Sequence, residues 1–424
     1  MRRISPSCPV ALLVLGFLLA FIPPANPSAA SEGVFFVKPD GSDTACTQAW
    51  PCSMATALSR ASTGATIYFA QGTYIGVGTA VITLDKSLTL LGAWDGEPTP
   101  PPRRSPNLYP SILDGENQRR VIDISGDVSP TIEGFNIVRG YGDYSGGGIR
   151  VEDASPILRY NTIRDNHADG DGGAIFVNRG SAQILFNWIE HNTATWSGGL
   201  RLINDAQVTV VGNYIHENTA AISGGGVDVS CCGGVTALVA RNLIADNQGA
   251  DYGGGILVET TRARLVNNIL DGNHAQKGAG VWLDGMQTHP TYADLLNNTL
   301  LGTEIGQAVW ANQYVEAALV NDILVGFDTS ILDNSPATNT LEIDYNLFWN
   351  NAFDPLVGTH AVLSNPLLDA LYHLKAGSPA INAGRAVDLA EDFDGFLRPV
   401  GAFDIGADEY ALQVYLPLGL NLEP

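Results

Sequence analysis

Basic residues are scarce in this chain of 424 residues. It contains only four lysines, and its 22 Lys and Arg face 44 Asp and Glu, which gives a formal net charge of −22. A surface of this charge repels polyanions, so nucleic acid is excluded as a partner. Acidic glycans would need local basic patches or bound Ca²⁺ to offset the repulsion. Only 16% of the residues are charged and 45% are hydrophobic, which is enough apolar material for a large core.

Apolar runs that could span a bilayer are also lacking. The run from Val10 to Ile22 is shorter than the roughly 20 residues that a spanning helix needs. Arg2 and Arg3 precede this run and the small residues Ser28–Ala30 follow it, a pattern that predicts a signal peptide cleaved after Ala30. An N-terminal membrane anchor is the alternative. We therefore expect a secreted or cell-surface protein with no transmembrane segment after cleavage.

Cysteine is rare, with five residues. Cys46 and Cys52 flank a short loop and are predicted to form a disulfide outside the cell. Cys231 and Cys232 are adjacent. Because a disulfide between adjacent cysteines is strained, free thiols or disulfides to other partners are alternatives of equal weight. No cluster of His or Cys at ligand spacing accompanies these cysteines, so we expect no metal site from them.

Glycine, in contrast, is abundant and recurs in clusters that precede alternating apolar residues. Six such segments have starts separated by 26, 26, 26, 29 and 25 residues: Gly146–Val151, Gly172–Val177, Gly198–Leu202, Gly224–Val229, Gly253–Val258 and Gly278–Leu283. A second signature with asparagine at both ends runs in step with them: Asn161–Asn166, Asn187–Asn192, Asn213–Asn218, Asn242–Asn247 and Asn268–Asn273. Weaker copies begin at Asn136, Asn298, Asn321 and Asn346.

Each period contains three short alternating runs separated by turn residues, which predicts three strands per coil and parallel sheets that run along the stack. Inward Ile, Val and Leu form a column that no coil buries alone. Asparagine suits the corner between the second and third strands because it tolerates left-handed torsions and its amides can hydrogen-bond along the axis. The sequence has neither the Leu spacing of a leucine-rich repeat nor the nine-residue period of a calcium-binding β-roll, which argues against both folds. The sequence thus predicts an all-β solenoid over residues 31–365.

The two ends of such a solenoid need covers, because they expose sheet edges and core. Residues Ser53–Ala61 have the apolar spacing of a short helix with Ser53 as N-cap, which we expect at the N-terminal end. Residues 366–410 are expected to cap the other end. Asp392 and Asp394 lie in a loop with a faint similarity to a calcium loop, but the spacing favours a structural turn. The apolar tail, 411–424, is a final strand or a sorting signal.

These repeats resemble the right-handed parallel β-helix proteins of the pectin-lyase-like superfamily, over roughly residues 34–365. Phe35–Asp43, the Cys46–Cys52 loop and Gly72–Tyr74 are similar to the opening of secreted members. Three C-terminal segments resemble the choice-of-anchor Q type of bacterial β-helix protein: Ser378–Gly384, Asp394–Pro399 and Asp404–Glu409. The resemblance implies a right-handed helix of three sheets. It leaves activity open, because the superfamily includes lyases, hydrolases, epimerases and non-enzymatic surface proteins.

Outward side chains at matching positions of neighbouring coils lie about 4.8 Å apart and form columns. The first predicted column is Arg150, Phe176, Arg201, Asp228, Leu257 and Trp282, and the second is Glu152, Asn178, Ile203, Ser230, Glu259 and Asp284. The turns before these strands carry further polar and aromatic residues: Tyr141, Asp143, Tyr144, His167, Asp169, Asp171, Trp196, Asp251 and Tyr252. Aromatic faces beside mixed charges suit sugar rings, and enzymes of the resembled superfamily bind glycans along this sheet.

From these columns we predict ligand binding by Arg150, Phe176, Trp196, Trp282, Tyr252 and Asp171. The alternative is that they are ordinary outward residues that shield a sheet. The opposite strand carries four candidate metal ligands, Glu190, His191, His216 and Glu217. Because the residue types change from coil to coil, no metal site is predicted there.

Candidate catalytic residues are Arg201, Asp228, Glu259 and Asp284. Glu259 and Asp284 share a column on adjacent coils, so one is expected to hold its proton or both to share a cation such as Ca²⁺. Their expected separation of about 5 Å is near that of retaining glycosidases. Arg201 beside Asp228 could bind a uronate or assist proton abstraction, as in the resembled lyases. The alternative is solvated carboxylates and a weak surface ion pair.

Two functions follow from the sequence. The first is a secreted or cell-surface protein, expected to be monomeric, that binds extracellular polysaccharide or the cell envelope without catalysis. The second is a polysaccharide-active enzyme: a lyase, a glycoside hydrolase or an epimerase. The lack of a clear catalytic constellation favours the first.

Overall fold

The computed structural model describes residues 33–230 and 234–410. The predicted signal peptide, the Cys231–Cys232 pair and the apolar tail lie outside these residues. The described chain forms a right-handed parallel β-helix with almost no α-helix, which confirms the predicted fold class. In the described residues, no helix is long and apolar enough to cross a membrane.

Two long sheets hold the first and second strands of each coil. Sheet I has ten strands, at Ala80–Leu84, Arg120–Ser125, Ile149–Glu152, Ile175–Asn178, Leu200–Ile203, Val227–Val229, Ile256–Glu259, Val281–Asp284, Gln307–Ala311 and Thr329–Asp333. Sheet II has twelve strands, at Val34–Val37, Thr66–Ala70, Thr89–Trp94, Thr131–Glu133, Ile157–Arg159, Gln183–Leu185, Gln207–Val211, Thr236–Ala240, Arg262–Val266, Thr291–Leu296, Val315–Val320 and Thr340–Asp344.

The strands of the other two sheets follow the first and the second asparagine of the repeat, respectively. Sheet III has twelve strands, at Gly72–Ile75, Ser111–Asp114, Phe135–Val138, Thr162–Arg164, Trp188–Glu190, Tyr214–His216, Leu243–Ala245, Ile269–Asp271, Thr299–Leu301, Ile323–Val325, Leu347–Trp349 and Val362–Leu363. Sheet IV has five strands, at Tyr141–Gly142, His167–Asp171, Thr193–Trp196, Thr219–Ser223 and Gln248–Gly249. The prediction of three sheets is therefore incomplete. The long turns between sheets III and I have similar lengths in successive coils, so their backbones also pair.

One continuous hydrophobic core runs from Val37 to Phe348. The alternation in sheet I produces it: Ile149 and Val151 are fully buried, whereas Arg150 between them faces outward and is half-buried. Each inward aliphatic side chain contributes about 1.5–3 kcal/mol on burial. Because the inward side chains of one coil pack on those of the next, each coil depends on its neighbours for stability.

Buried asparagines connect the coils along two corners. Between sheets II and III, Oδ1 of Asn187 accepts hydrogen bonds from the backbone N–H and the Nδ2 of Asn161, at 3.0 and 3.1 Å. The same bond continues through Asn213, Asn242, Asn268 and Asn298. A second ladder between sheets III and IV joins Asn166, Asn192, Asn218, Asn247 and Asn273. The predicted stacking of asparagine along the axis is confirmed.

The weak copies expected at Asn136 and Asn321 are displaced by one residue. Phe135 holds the ladder position in the first case, since its N–H donates to the side chain of the next asparagine at 3.0 Å. Asp322 holds it in the second case, where its Oδ1 accepts from Nδ2 of Asn298 at 2.9 Å. Either position can carry asparagine because both lie at the same tight corner.

The third glycine cluster is also displaced. Strand pairing aligns Ile175 with Leu200, so Ser197, and not Gly198, is the counterpart of Gly172. Ser197 adopts the same left-handed backbone, with a φ of 57° against 64° for Gly172. The coil is one residue shorter here than the glycine spacing suggests.

The predicted N-terminal helix is present at Met54–Arg60, and Oγ of Ser53 caps it by accepting the N–H of Thr56 at 3.2 Å. Ala57 is fully buried in the first coils. The Cys46–Cys52 disulfide precedes this helix, as predicted.

The C-terminal region, residues 366–410, does not lie over the open end of the core as expected. It packs against the outer face of sheet III, where Leu374 and Ile405 form a small cluster with Ile323 and Leu347. Instead, the end of the core is contacted by a loop with Leu356, Val357 and Ala361. Outward apolar residues on the last strands of sheet III explain the difference, since they need a cover of their own.

Candidate functional site

The strand register places the predicted columns together on the outer face of sheet I. Arg150, Phe176, Arg201, Asp228, Leu257 and Trp282 pair in sequence from coil to coil. Glu259 likewise pairs with Asp284. The column extends further than predicted, to Asp123 before Arg150 and to Trp310 after Trp282.

Arg201 and Asp228 form an ion pair between neighbouring coils, and this pair is buried. The Asp228 side chain has no exposed surface, and Arg201 is only 14% exposed. On its other side, Arg201 Nε lies 3.2 Å from a carboxylate oxygen of Asp171. The pair is therefore not the weak surface ion pair that the sequence left open as the alternative, because the turn that carries Asp171 and the tight turn at Gly224 cover the strand.

Burial raises the pKa of Asp228 and of Asp171 above the ordinary range, although Arg201 opposes both shifts. Asp228 also raises the pKa of Asp171. Because one guanidinium serves two carboxylates, this group carries an excess of negative charge. Arg201, Asp171 and Asp228 together form the floor of the site.

Beside this floor lies a cleft of about 520 Å³ between sheet I and the turns of sheet IV. Its lining consists of Asp143, Tyr144, Asp169, Gly170, Asp171, Thr195, Trp196, Arg201, Ile203 and Asn204. Tyr144 is 68% exposed and Trp196 is 38% exposed, so both rings are available to a ligand. The Arg201 guanidinium lies 5.6 Å from the Trp196 ring centre and fixes one side of that ring.

Further along sheet I, Glu259 and Asp284 are half-buried neighbours. Burial, followed by the charges of Asp228 and Asp284, raises the pKa of Glu259. Burial also raises the pKa of Asp284, which accepts a hydrogen bond from Nδ2 of Asn312 at 2.9 Å. In the described part of the chain, no hydrogen-bond donor reaches the Glu259 carboxylate. This environment favours the protonated acid at Glu259.

Two predicted aromatic contacts are covered. Phe176 and Trp282 face outward but are only 4% and 5% exposed, so neither offers a free ring face. The rings of Tyr252 and Trp310 pack on Trp282, at 4.8 and 5.5 Å between ring centres. The prediction of Phe176 and Trp282 as ligand contacts therefore does not fit the structure. Strand alternation predicts which way a side chain points, but it does not predict which other side chains cover it.

Arg150 and Tyr252 already have partners within the protein. Arg150 contacts Asp123 at 3.3 Å and Glu152 at 3.1 Å. The ammonium group of Lys277 lies 5.1 Å from the Tyr252 ring centre. The residues that the structure brings to the cleft itself are Asp171, Trp196 and Arg201.

Glu190 and His216 end strands of sheet III, His191 and Glu217 follow them in the turns, and the four residues pair across coils. His216 Nε2 lies 2.8 Å from Glu190, and His191 Nε2 lies 2.5 Å from Glu217. Each imidazole thus has a carboxylate partner on a neighbouring coil, and these contacts link the coils.

Sequence reasoning missed a second groove, of about 890 Å³, on the outer face of sheet II. The Arg262 guanidinium stacks at 3.9 Å over the Tyr292 ring, and Arg264 lies 3.3 Å from Asp294. The alternation of buried and exposed residues in the strands of sheet II is the sequence signal for these outward side chains, but the glycine clusters mark only the strands of sheet I.

Among the comparisons with known proteins, the family model supports the fold. A family model described as a right handed beta helix region matches residues 120–300. A search of curated proteins gave no match. Among solved structures, a crystal structure of pectate lyase Pel9A is 15% identical over 91% of this chain and 98% of that chain, with a TM-score of 0.49.

Two further solved structures are less similar. A complex of XylC with xylose is 10% identical over 88% of this chain and 98% of that chain, with a TM-score of 0.41. A rhamnogalacturonan lyase is 12% identical over 74% of this chain and 87% of that chain, with a TM-score of 0.36. Similarities of this size carry no inference about activity. The match to the family model shows that the matched part of this chain is a right-handed β-helix region.

Proposed function

We propose that this chain is a secreted or cell-surface protein that binds an extended polysaccharide along the outer face of sheet I. The observation that carries the proposal is the cleft in which exposed Trp196 and Tyr144 stand beside the carboxylates of Asp143 and Asp169. An aromatic face stacks on a pyranose ring, while carboxylates accept hydrogen bonds from its hydroxyl groups.

The shape of the surface favours a polymer. The cleft opens onto columns of side chains that repeat at about 4.8 Å along the helix axis, so a linear chain can follow the coils. Asn204 lines the cleft and supplies an amide next to the acidic groups. The net charge of −22 and the acidic lining favour a neutral glycan over a polyuronate.

The proposal is tested by affinity electrophoresis of the purified protein in gels that contain neutral or uronate polysaccharides, with and without calcium. We expect retardation by at least one neutral polysaccharide and at least a tenfold loss of affinity in Trp196→Ala, since a stacked ring contributes about 1–3 kcal/mol. Trp349→Ala is the matched control, because Trp349 is 41% exposed on sheet III. Equal losses in both variants, or no retardation by any glycan, would contradict the proposal.

A second candidate function is a polysaccharide-active enzyme, and the environment of Glu259 favours it. A carboxyl group whose pKa is raised by burial and by neighbouring carboxylates can serve as a general acid, with Asp284 as the neighbouring carboxylate. Arg201 would orient an acidic sugar, and Asp228 would hold Arg201. The test is a search for new reducing ends or unsaturated uronate products in the same incubations. Turnover that is abolished in Glu259→Gln, with binding retained, would support catalysis over binding alone.

A further inference from the structure

Three side chains of the C-terminal region converge at some distance in sequence from the sheet I cleft. His373, Asp394 and Asp408 each place one nitrogen or carboxylate oxygen within 4.8 Å of the other two. Each residue belongs to a different loop. His373 Nε2 lies 2.9 Å from a carboxylate oxygen of Asp394, within hydrogen-bond distance.

Asp408 provides an independent indication of a ligand. Its side chain is buried, with 3% of the residue exposed. Oδ2 accepts the N–H of Leu374 at 2.8 Å, whereas Oδ1 is buried and has no hydrogen-bond partner within the described residues. A buried carboxylate oxygen without a donor costs free energy, and a cation at this position would remove that cost.

The surrounding charges also favour a cation. Asp369 lies 3.4 Å from Nδ1 of His373, and Asp392 is fully buried in the same region. The nearby cation Arg398 is already paired with Glu409, at 3.0 Å between buried atoms. Three carboxylates, of Asp369, Asp394 and Asp408, thus surround one imidazole, and Asp392 adds a fourth acidic group to the region.

We propose that His373, Asp394 and Asp408 bind one divalent transition-metal cation, for which Zn²⁺ is the probe. One imidazole nitrogen with carboxylate oxygens is a donor set for zinc, whereas calcium prefers oxygen ligands alone. The cation would replace the hydrogen bond between His373 and Asp394. Ligand atoms on a tetrahedral zinc lie roughly 3.5 Å apart, so His373 and Asp394, now 2.9 Å apart, would separate slightly, while Asp408 already has a ligand atom within 4.8 Å of both.

Such a cation would cross-link a region that has little regular structure. In the described residues 364–410, β-structure consists of two isolated antiparallel bridges, Leu368 with Leu374 and Glu391 with Leu397. Its apolar cluster on sheet III is small. A metal that joins three loops would therefore hold the region on sheet III.

The test uses tag-free protein stripped with EDTA and dialysed. We expect one equivalent of Zn²⁺ per chain by elemental analysis, a rise in the thermal unfolding midpoint with Zn²⁺, and visible absorption when Co²⁺ is substituted. Asp394→Asn should lower the zinc affinity at least about tenfold. Asp394 is a suitable site because its side chain is 24% exposed, so substitution should not unfold the region.

His360→Ala is the matched control. His360 forms a similar pair with Asp344, at 2.9 Å, but is 53% exposed. Among the described residues, no third His, Cys, Asp or Glu completes a metal-binding group with this pair. This variant should bind zinc like the parent protein. Binding that survives Asp394→Asn, binding of calcium but not zinc, or no metal-dependent stabilisation would each overturn the proposal.

Discussion

Arg201 and Asp228 join two neighbouring coils of sheet I through an ion pair whose carboxylate is completely buried. Asp171 approaches the same guanidinium from the adjoining turn. One arginine therefore faces two carboxylates at the floor of the cleft. It also lies against Trp196, so the electrostatics of the floor and the position of the exposed ring depend on the same side chain.

Replacing Arg201 with Gln should lower the free energy of unfolding by about 3 kcal/mol or more, because two buried carboxylates lose their counter-charge. Adding Asp228→Asn should restore part of the loss, so that the double variant is more stable than Arg201→Gln alone. Urea denaturation measures both effects. Arg164→Gln is the control, since Arg164 and Asp165 are both exposed and should contribute less than about 1 kcal/mol. Additive losses in the double variant would argue against the buried pair.

Asp322 should be a site where asparagine stabilises the protein. Its Oδ2 is buried without a partner within the described residues, whereas Asn346 one coil later donates from Nδ2 to the Leu319 carbonyl at 2.8 Å. Burial raises the pKa of Asp322 well above its ordinary value. A raised pKa in the folded state means that the contribution of Asp322 is favourable in acid and is lost as the pH rises.

We therefore expect Asp322→Asn to increase the free energy of unfolding by roughly 1–3 kcal/mol at pH 8, and by less near pH 4. Unfolding curves at the two pH values measure the difference. The converse change, Asn298→Asp, should destabilise the protein most at pH 8. A gain in Asp322→Asn that is independent of pH would refute the assignment of a buried titrating carboxylate.

Gly224→Ala should destabilise the protein more than Gly126→Ala. Both glycines have positive φ, 73° and 89°, so both substitutions strain the backbone by about 1 kcal/mol. A Cβ at Gly224 would lie 2.8 Å from the Cβ of Asp228, whereas a Cβ at Gly126 would meet nothing within 4 Å. The excess cost of Gly224→Ala, measured by thermal unfolding, reports this close approach. Equal costs would mean that the turn relaxes freely.

Removing the disulfide with Cys46→Ala and Cys52→Ala together should cost about 2 kcal/mol. The bond closes a short loop, with a sequence separation of 6, and loop-closure entropy of this length has about that value. Denaturation with and without a reducing agent measures it. The reducing agent should destabilise the parent protein and leave the double variant unchanged; a response of the variant would assign the effect to another thiol.

The candidate site could be predicted in part. The period of the repeat places Arg201, Asp228, Glu259 and Asp284 on one face, because strand alternation and coil length depend only on local sequence. The metal cluster at His373 could not be found in this way. Its three residues lie in irregular loops, and no periodicity relates them to one another.

The sequence by itself determined the solenoid, its asparagine corners and the order of the outward columns, because a repeat of nearly constant length brings equivalent residues into register. Only the tertiary structure decided that Asp228 is buried, that Trp282 is covered, and that the C-terminal region packs on sheet III. Those features depend on the paths of turns and loops, and these paths follow from packing between residues far apart in the chain.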